Sequence, residues 1–130
     1  MGFIPAALKT ESVVLERVAE TQSRAGGVDE EVVQTEPSRM VEIRPLKRSN
    51  QLPQVVEGLA LPIATHHVRD DVAVPWVDPR TGHQRKDLDP SWRIRWSPSD
   101  GSGTRVLMPT TNSRWCPITK HWATECIEVL

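Results

Sequence analysis

The chain has 130 residues, of which 38% are hydrophobic and 25% charged, and its net charge is −1. That length suits one domain, and that balance excludes both a disordered polyelectrolyte and the strong basic field that draws proteins to nucleic acid. Eleven prolines and seven glycines interrupt the chain, so long helices are not expected over most of it.

Residues 1–11 read as an irregular N-terminal arm. Residues 12–20 fit two periods: Leu8, Leu15 and Val18 share a helical face, while Val13, Leu15 and Arg17 alternate with Val14, Glu16 and Val18 as in a strand. The next fifteen or so residues favour the strand. Ser23 to Asp29 contains Gly26-Gly27, a turn signal, and Glu31-Val32-Val33-Gln34-Thr35 is a second β-prone run, so the whole reads as a long hairpin. Over 40–46, Val41 and Ile43 are expected on one face and Glu42 and Arg44 on the other. Residues 54–68 are apolar but broken by Gly58 and Pro62, which predicts two short strands or one bulged strand.

Residues 69–91 hold Pro75, Pro79, Gly82 and Pro90 among many charges. Residues 69–90 are expected to lie outside the core and to make contacts between chains. Trp76, Arg80, Arg85 and Lys86 are its candidate interface residues, because Trp and Arg are enriched where partners bind tightly. Trp92-Arg93-Ile94-Arg95-Trp96 alternates strictly, Ser97 to Gly103 reads as a turn, and Thr104 to Met108 as the return strand. Trp92, Ile94 and Trp96 are therefore candidate core residues, with Arg93 and Arg95 facing solvent, a channel or a neighbour. Residues 123–130 form a last strand. The sum is a single all-β domain over 1–130, a small antiparallel β-barrel or sandwich, with an N-terminal arm (1–11) and a long loop region with short strands (47–90).

No chemistry stands out. His66, His67, His83, His121, Cys116 and Cys126 lack the close spacing of a zinc site, and His66 and His67 would face opposite sides of a strand. Cys116 and His121 are near in sequence, but no nucleophile-elbow signature accompanies them. Asp70-Asp71 and the Asp87/Asp89 pair read as solvated carboxylates. Gly101-Ser102-Gly103 lacks the lysine and helix of a phosphate loop. No enzymatic activity, no cofactor and no metal are expected. The N-terminus has neither the basic start nor the apolar run of a secretory signal, so Cys116 and Cys126 are expected to be free thiols. No stretch is long and apolar enough to span a membrane. Charge is unevenly spread: residues 1–38 hold three basic and seven acidic side chains, and 39–130 hold thirteen basic and ten acidic. The two parts can attract each other within one chain or between copies.

Two segments carry a family resemblance. Val13-Val14-Leu15-Glu16-Arg17-Val18, Glu20-Thr21-Gln22 and Ala25-Gly26-Gly27-Val28 form one. Trp92-Arg93-Ile94-Arg95 and Trp122 to Val129 form the other. Over 10–46 and 91–130 the order of these features resembles phage head–tail connector proteins of the head-closure, or stopper, type. The segment 47–90 is longer and richer in proline than that pattern. The resemblance implies a small β-barrel in a homo-oligomeric ring at the head–tail junction of the virion, assembled in the host cytoplasm. Its partners would be a portal or adaptor protein and a tail protein. A long loop from each subunit would reach the channel, through which DNA passes without specific binding. The alternatives are an OB-like nucleic-acid-binding module using the Trp92–Trp96 strand as its face, or another accessory capsid or tail protein.

Overall fold

The computed structural model describes residues 4–22, 26–46, 55–56, 59–60 and 64–129. Eleven strands appear among them: β1 (Glu11–Gln22), β2 (Val28–Thr35), β3 (Arg39–Pro45), β4 (Val55–Val56), β5 (Leu59–Ala60), β6 (His66–Asp70), β7 (Trp76–Val77), β8 (Gln84–Arg85), β9 (Trp92–Ser97), β10 (Arg105–Pro109) and β11 (Trp122–Val129). The one helical element described is a 3₁₀ turn, Ala6–Leu8. Six strands close a barrel in the order β1-β3-β6-β11-β10-β9, and β9 pairs back onto β1. Every pairing is antiparallel. Closure leaves the barrel without an open edge. Of the two small all-β architectures the turn spacing suggests, barrel or sandwich, this is the barrel.

β1 serves two structures. Its first half pairs with β3 on one side (Glu11↔Val41 to Val13↔Arg39) and with β9 on the other (Ser12↔Ser97 to Arg17↔Trp92). From Val18 onward it pairs only with β2, ending at Gln22↔Val28. A register shift between Arg17 and Val18 marks the place where the chain leaves the barrel wall, the usual role of a bulge. The predicted long hairpin is therefore present and extends beyond the barrel; its turn residues 23–25 lie outside the described residues. Gly26, at φ 86°, supplies the left-handed conformation the turn needs.

The barrel interior follows the period-2 rule. Val13 and Leu15 from β1, Val41 from β3, Val68 from β6, Trp92 and Ile94 from β9, Leu107 from β10, and Trp122 and Cys126 from β11 are all at most 1% exposed. Together with Val74, Trp76, Leu88 and Trp96 they make one continuous cluster. The interior is thus filled by side chains, as in other small barrels. The predicted pairing of Trp92–Trp96 with the return strand is present, with Arg105 opposite Trp96 and Leu107 opposite Ile94.

Three expectations need correction. First, residues 69–90 do not lie outside the core. Val74 and Leu88 are fully buried and Trp76 is 5% exposed. The indole of Trp76 packs edge-on against Trp92 at 5.8 Å, and its Nε1 donates to the carbonyl of Asp87 at 2.6 Å. The β7–β8 ribbon is a plug over the Trp92 end of the barrel; Trp122, through its Nε1, ties the preceding residue Val72 to the same end at 3.0 Å. Second, Asp70, Asp87 and Asp89 are buried, not solvated, because arginines pair with them: Arg39 with Asp70, Arg85 with Asp87, and Arg80 and Arg85 with Asp89. Third, Glu42 is buried although its strand phase points it outward, because Arg69 (2.7 Å) and Arg44 cover its carboxylate. Within 47–90, β6 is a full barrel strand between β3 and β11. The interruptions at Gly58 and Pro62 lie outside the described residues.

The N-terminal arm is tied down. Ile4 is buried, its N–H donates to Asp71 at 3.0 Å, and Lys9 reaches the same carboxylate at 2.8 Å. At the other end of the barrel Glu11 accepts from Trp96 Nε1 at 3.1 Å and from the Ser99 N–H at 3.3 Å. His66 meets Trp96 edge-on at 5.4 Å. Among the described residues, no helix is long and apolar enough to cross a membrane.

Candidate interaction surface

The candidate surface grows out of the ribbon. β7 and β8 are joined by Asp78-Pro79-Arg80-Thr81-Gly82-His83, in which the Gly82 N–H returns to the Asp78 carbonyl at 2.7 Å and Gly82 takes φ 71°. The Asp-Pro start and the glycine are the turn chemistry that makes so short a ribbon possible. Only two residue pairs form its ladder, Trp76↔Arg85 and Val77↔Gln84, so backbone pairing alone would not hold it.

Side chains supply the rest. Arg85 contacts Asp87 at 3.1 Å, Asp78 at 3.4 Å and Asp89 at 3.5 Å, and donates to the Ser113 carbonyl at 3.1 Å. Arg80 bonds Asp78 at 3.2 Å and also reaches Asp89. The guanidiniums of Arg85 and Arg17 lie 5.1 and 5.5 Å from the centre of the Trp76 ring. Ser113 Oγ accepts the Leu88 N–H at 3.0 Å, pinning the connection between β8 and β9 to the 110–115 segment. Hydrogen bonds from Arg80 hold the Asp78 carboxyl below the usual carboxylate range. For Arg85, burial opposes the charge, but bonding to Asp87 outweighs it and keeps the guanidinium firmly protonated.

Each candidate interface residue has a definite place in this arrangement. Trp76 is inside, so it presents no exposed aromatic anchor. Arg85 is mostly covered, with 18% of its side chain exposed, while Arg80 is 64% exposed and Lys86 is exposed. Arg80, Arg85 and Lys86 line one open cleft of about 840 Å³, which His83, Arg114 and Trp115 complete. Sequence reasoning missed Arg114 because it comes from the segment before β11, some thirty residues from the ribbon; its neighbour Trp115, like Trp76 and Trp122, reads from the sequence as a core or protein-contact tryptophan. It also missed the aspartates, whose signal was their spacing against Arg80 and Arg85 in a turn-rich segment.

The Trp92–Trp96 strand presents no stacking platform. Trp92 and Ile94 are fully buried and Trp96 is 8% exposed. On the outer face Arg93 bonds Glu30 and Arg95 bonds Glu16 at 2.9 Å. Attraction between the acidic first part and the basic remainder is therefore realised, at least in these pairs, within one chain.

Cys116 and Cys126 are both free. Burial pushes the Cys126 thiol up to about 12, so it behaves as a small apolar core residue. Cys116 and His121 bridge backbone to backbone across a tight turn, with Cys116 N–H donating to the His121 carbonyl at 2.9 Å. No group of three or more His, Cys, Asp or Glu side chains able to hold a metal occurs among the described residues. No protein-family model matches the chain, and no match is found among curated proteins.

Proposed function

We propose that this chain is a structural subunit of a phage head–tail connector, forming a homo-oligomeric ring that closes the DNA channel below the portal and joins the tail. The observation that carries the reading is a side-chain-filled barrel from which a two-stranded hairpin, β1–β2, extends past the last barrel pairing at Arg17. A filled barrel has no lumen for DNA, so a channel would have to form between copies. A projecting hairpin is the kind of element that bridges copies. The Val13–Val18 and Trp92–Arg95 motifs are the ones on which the sequence resemblance to the head-closure type rests. The ribbon is packed into the barrel, so it does not supply a loop free to reach the channel.

A conduit must let DNA slide, and each tightly held phosphate would resist sliding and steepen the salt dependence. The net charge of −1 and the pairing of Arg93 and Arg95 with glutamates suit a conduit. Mass measurement under native conditions, alone and with a portal-type partner, tests the reading. It predicts one closed ring of narrow stoichiometry that binds the portal. A chain that stays monomeric and ignores the portal contradicts it. Binding of duplex or single-stranded oligonucleotides no tighter than about 10⁻⁴ M at physiological salt is expected; tight binding abolished by Arg93→Ala or Arg95→Ala would favour the nucleic-acid-binding module instead.

A further inference from the structure

We propose that the cleft beside the β7–β8 ribbon receives the acidic β1–β2 hairpin of a second copy of this chain. The inference rests on the ring reading above and names the contact that would build the ring.

The cleft shows cations to solvent and hides its anions. Asp78 and Asp87 are 3% exposed and Asp89 is fully buried, each matched to Arg80 or Arg85. What remains outward is the partly exposed Arg80 with exposed Lys86 and Arg114 on the rim. Trp115 and Pro117 offer apolar area beside these charges. Such a surface fits a segment that carries carboxylates with some apolar side chains between them.

The hairpin beyond the barrel has that composition. Glu20, Glu30 and Glu31 are exposed there, with Val32 and Val33 at 47% and 44% exposure. Register adds a second argument. Glu20 and Glu30 are direct cross-strand partners on one face. Like charges so placed destabilise a hairpin, and among the described residues the cation bonded to the pair is Arg93, through Glu30. A cation from another molecule would relieve the remaining repulsion.

The occupant has to come from another copy. The hairpin root already touches the ribbon, where Gln34 Nε2 donates to the Pro75 carbonyl at 3.1 Å. Val28 lies six strand positions farther on, roughly 20 Å along β2, and a paired ribbon cannot double back on its own root. Hairpin and cleft are different surfaces, so their contact is heterologous and repeats from copy to copy, the geometry that closes into rings.

Carbodiimide cross-linking of a mixture of unlabelled and ¹⁵N-labelled protein, read by peptide mass spectrometry, tests the contact. An intermolecular link from Lys86 to Glu20 is expected. Lys86→Glu with Arg114→Glu is expected to raise the concentration for half-assembly about tenfold or more. Adding Glu20→Lys to the same chain should restore assembly, with circular dichroism showing each variant folded. A wild-type ring without the Lys86 link, or one indifferent to the reversals, overturns this inference and leaves the ring reading standing. A wild-type chain that never assembles overturns both. If the Lys86/Arg114 reversal leaves assembly intact and lowers DNA retention, the cleft is a phosphate contact and the inference falls.

Discussion

Along β9, Trp92, Ile94 and Trp96 alternate with Arg93 and Arg95, and the alternation alone sorts inside from outside. Between residues 71 and 91 no such period exists, yet Val74, Trp76, Leu88 and three aspartates are buried as deeply. The barrel excludes water with apolar side chains whose direction the strand dictates. The ribbon does so with one aromatic plug and a set of carboxylate–guanidinium contacts that neutralise each other. The first solution is stabilised by area, about 25 cal/mol per Å² removed from water. The second is stabilised only while every partner is present, because breaking a buried pair leaves a charge uncompensated.

The largest test of that difference is aromatic truncation. Trp92→Ala should cost about 3–5 kcal/mol in denaturant unfolding, since it empties the barrel centre. Trp76→Ala should cost about 3 kcal/mol, because its indole packs on Trp92 and its Nε1 bond to Asp87 is lost as well. A Trp76→Ala chain as stable as the wild type would return the ribbon to the periphery. For the same reason, deleting residues 74–88 should unfold the barrel.

Next comes the charged set. Asp89→Ala should cost about 2 kcal/mol, less than a fully buried pair, since Arg80 is 64% exposed and partly screened by water. The loss should appear as faster proteolysis of the ribbon ahead of the barrel. Equal protection of both regions in the variant would show that the ion pairs do not hold the ribbon.

Acidification gives a smaller and signed effect. Burial lowers the His66 and His67 pKa values below the ordinary 6.5, with Arg105 and Arg44 respectively adding to it. Their contribution to stability is complete above about 6.5 and is lost as pH falls through the folded-state values. Asp70 acts oppositely: burial raises its carboxyl, so protonation relieves a cost at lower pH. For Glu11, burial raises the pKa, but bonds from Thr10, Ser99 and Trp96 outweigh it and hold it low, so its contribution disappears last. Unfolding free energy should therefore decline from pH 7 towards pH 5, and His66→Gln should flatten that decline. An unchanged slope in the variant would remove His66 from the account.

The smallest effect belongs to the outer wall. Arg95→Ala breaks its pair with Glu16, but half of the Arg95 side chain is exposed, so the cost should stay within about 0.5 kcal/mol. A loss comparable to that of Asp89→Ala would mean that the outer pairs carry weight comparable to the ribbon's.

The same contrast separates the legible parts of the fold from the rest. The hairpin of Trp92–Ser97 with Arg105–Pro109 and the pairing of β1 with β2 were readable, because side-chain period and turn glycines are local signals; that β1–β2 leaves the barrel wall was not. The burial of Trp76 was not, because it depends on Trp92, sixteen residues away in the chain, and on Asp87 accepting its Nε1 proton. Asp78, Asp87 and Asp89 resemble solvated loop charges until Arg80 and Arg85 are seen to converge on them. Glu42 defeats the strand rule for the same reason: a partner on β6, Arg69, makes burial affordable for a carboxylate. Arg114 and Trp115 join the cleft only once the chain has folded.

The most direct test is to assemble phage particles with and without this chain and image them. The account predicts that, without it, heads package DNA but neither retain it nor acquire tails, and that supplying the protein restores both. Tailed, DNA-filled particles formed in its absence would contradict the connector reading outright.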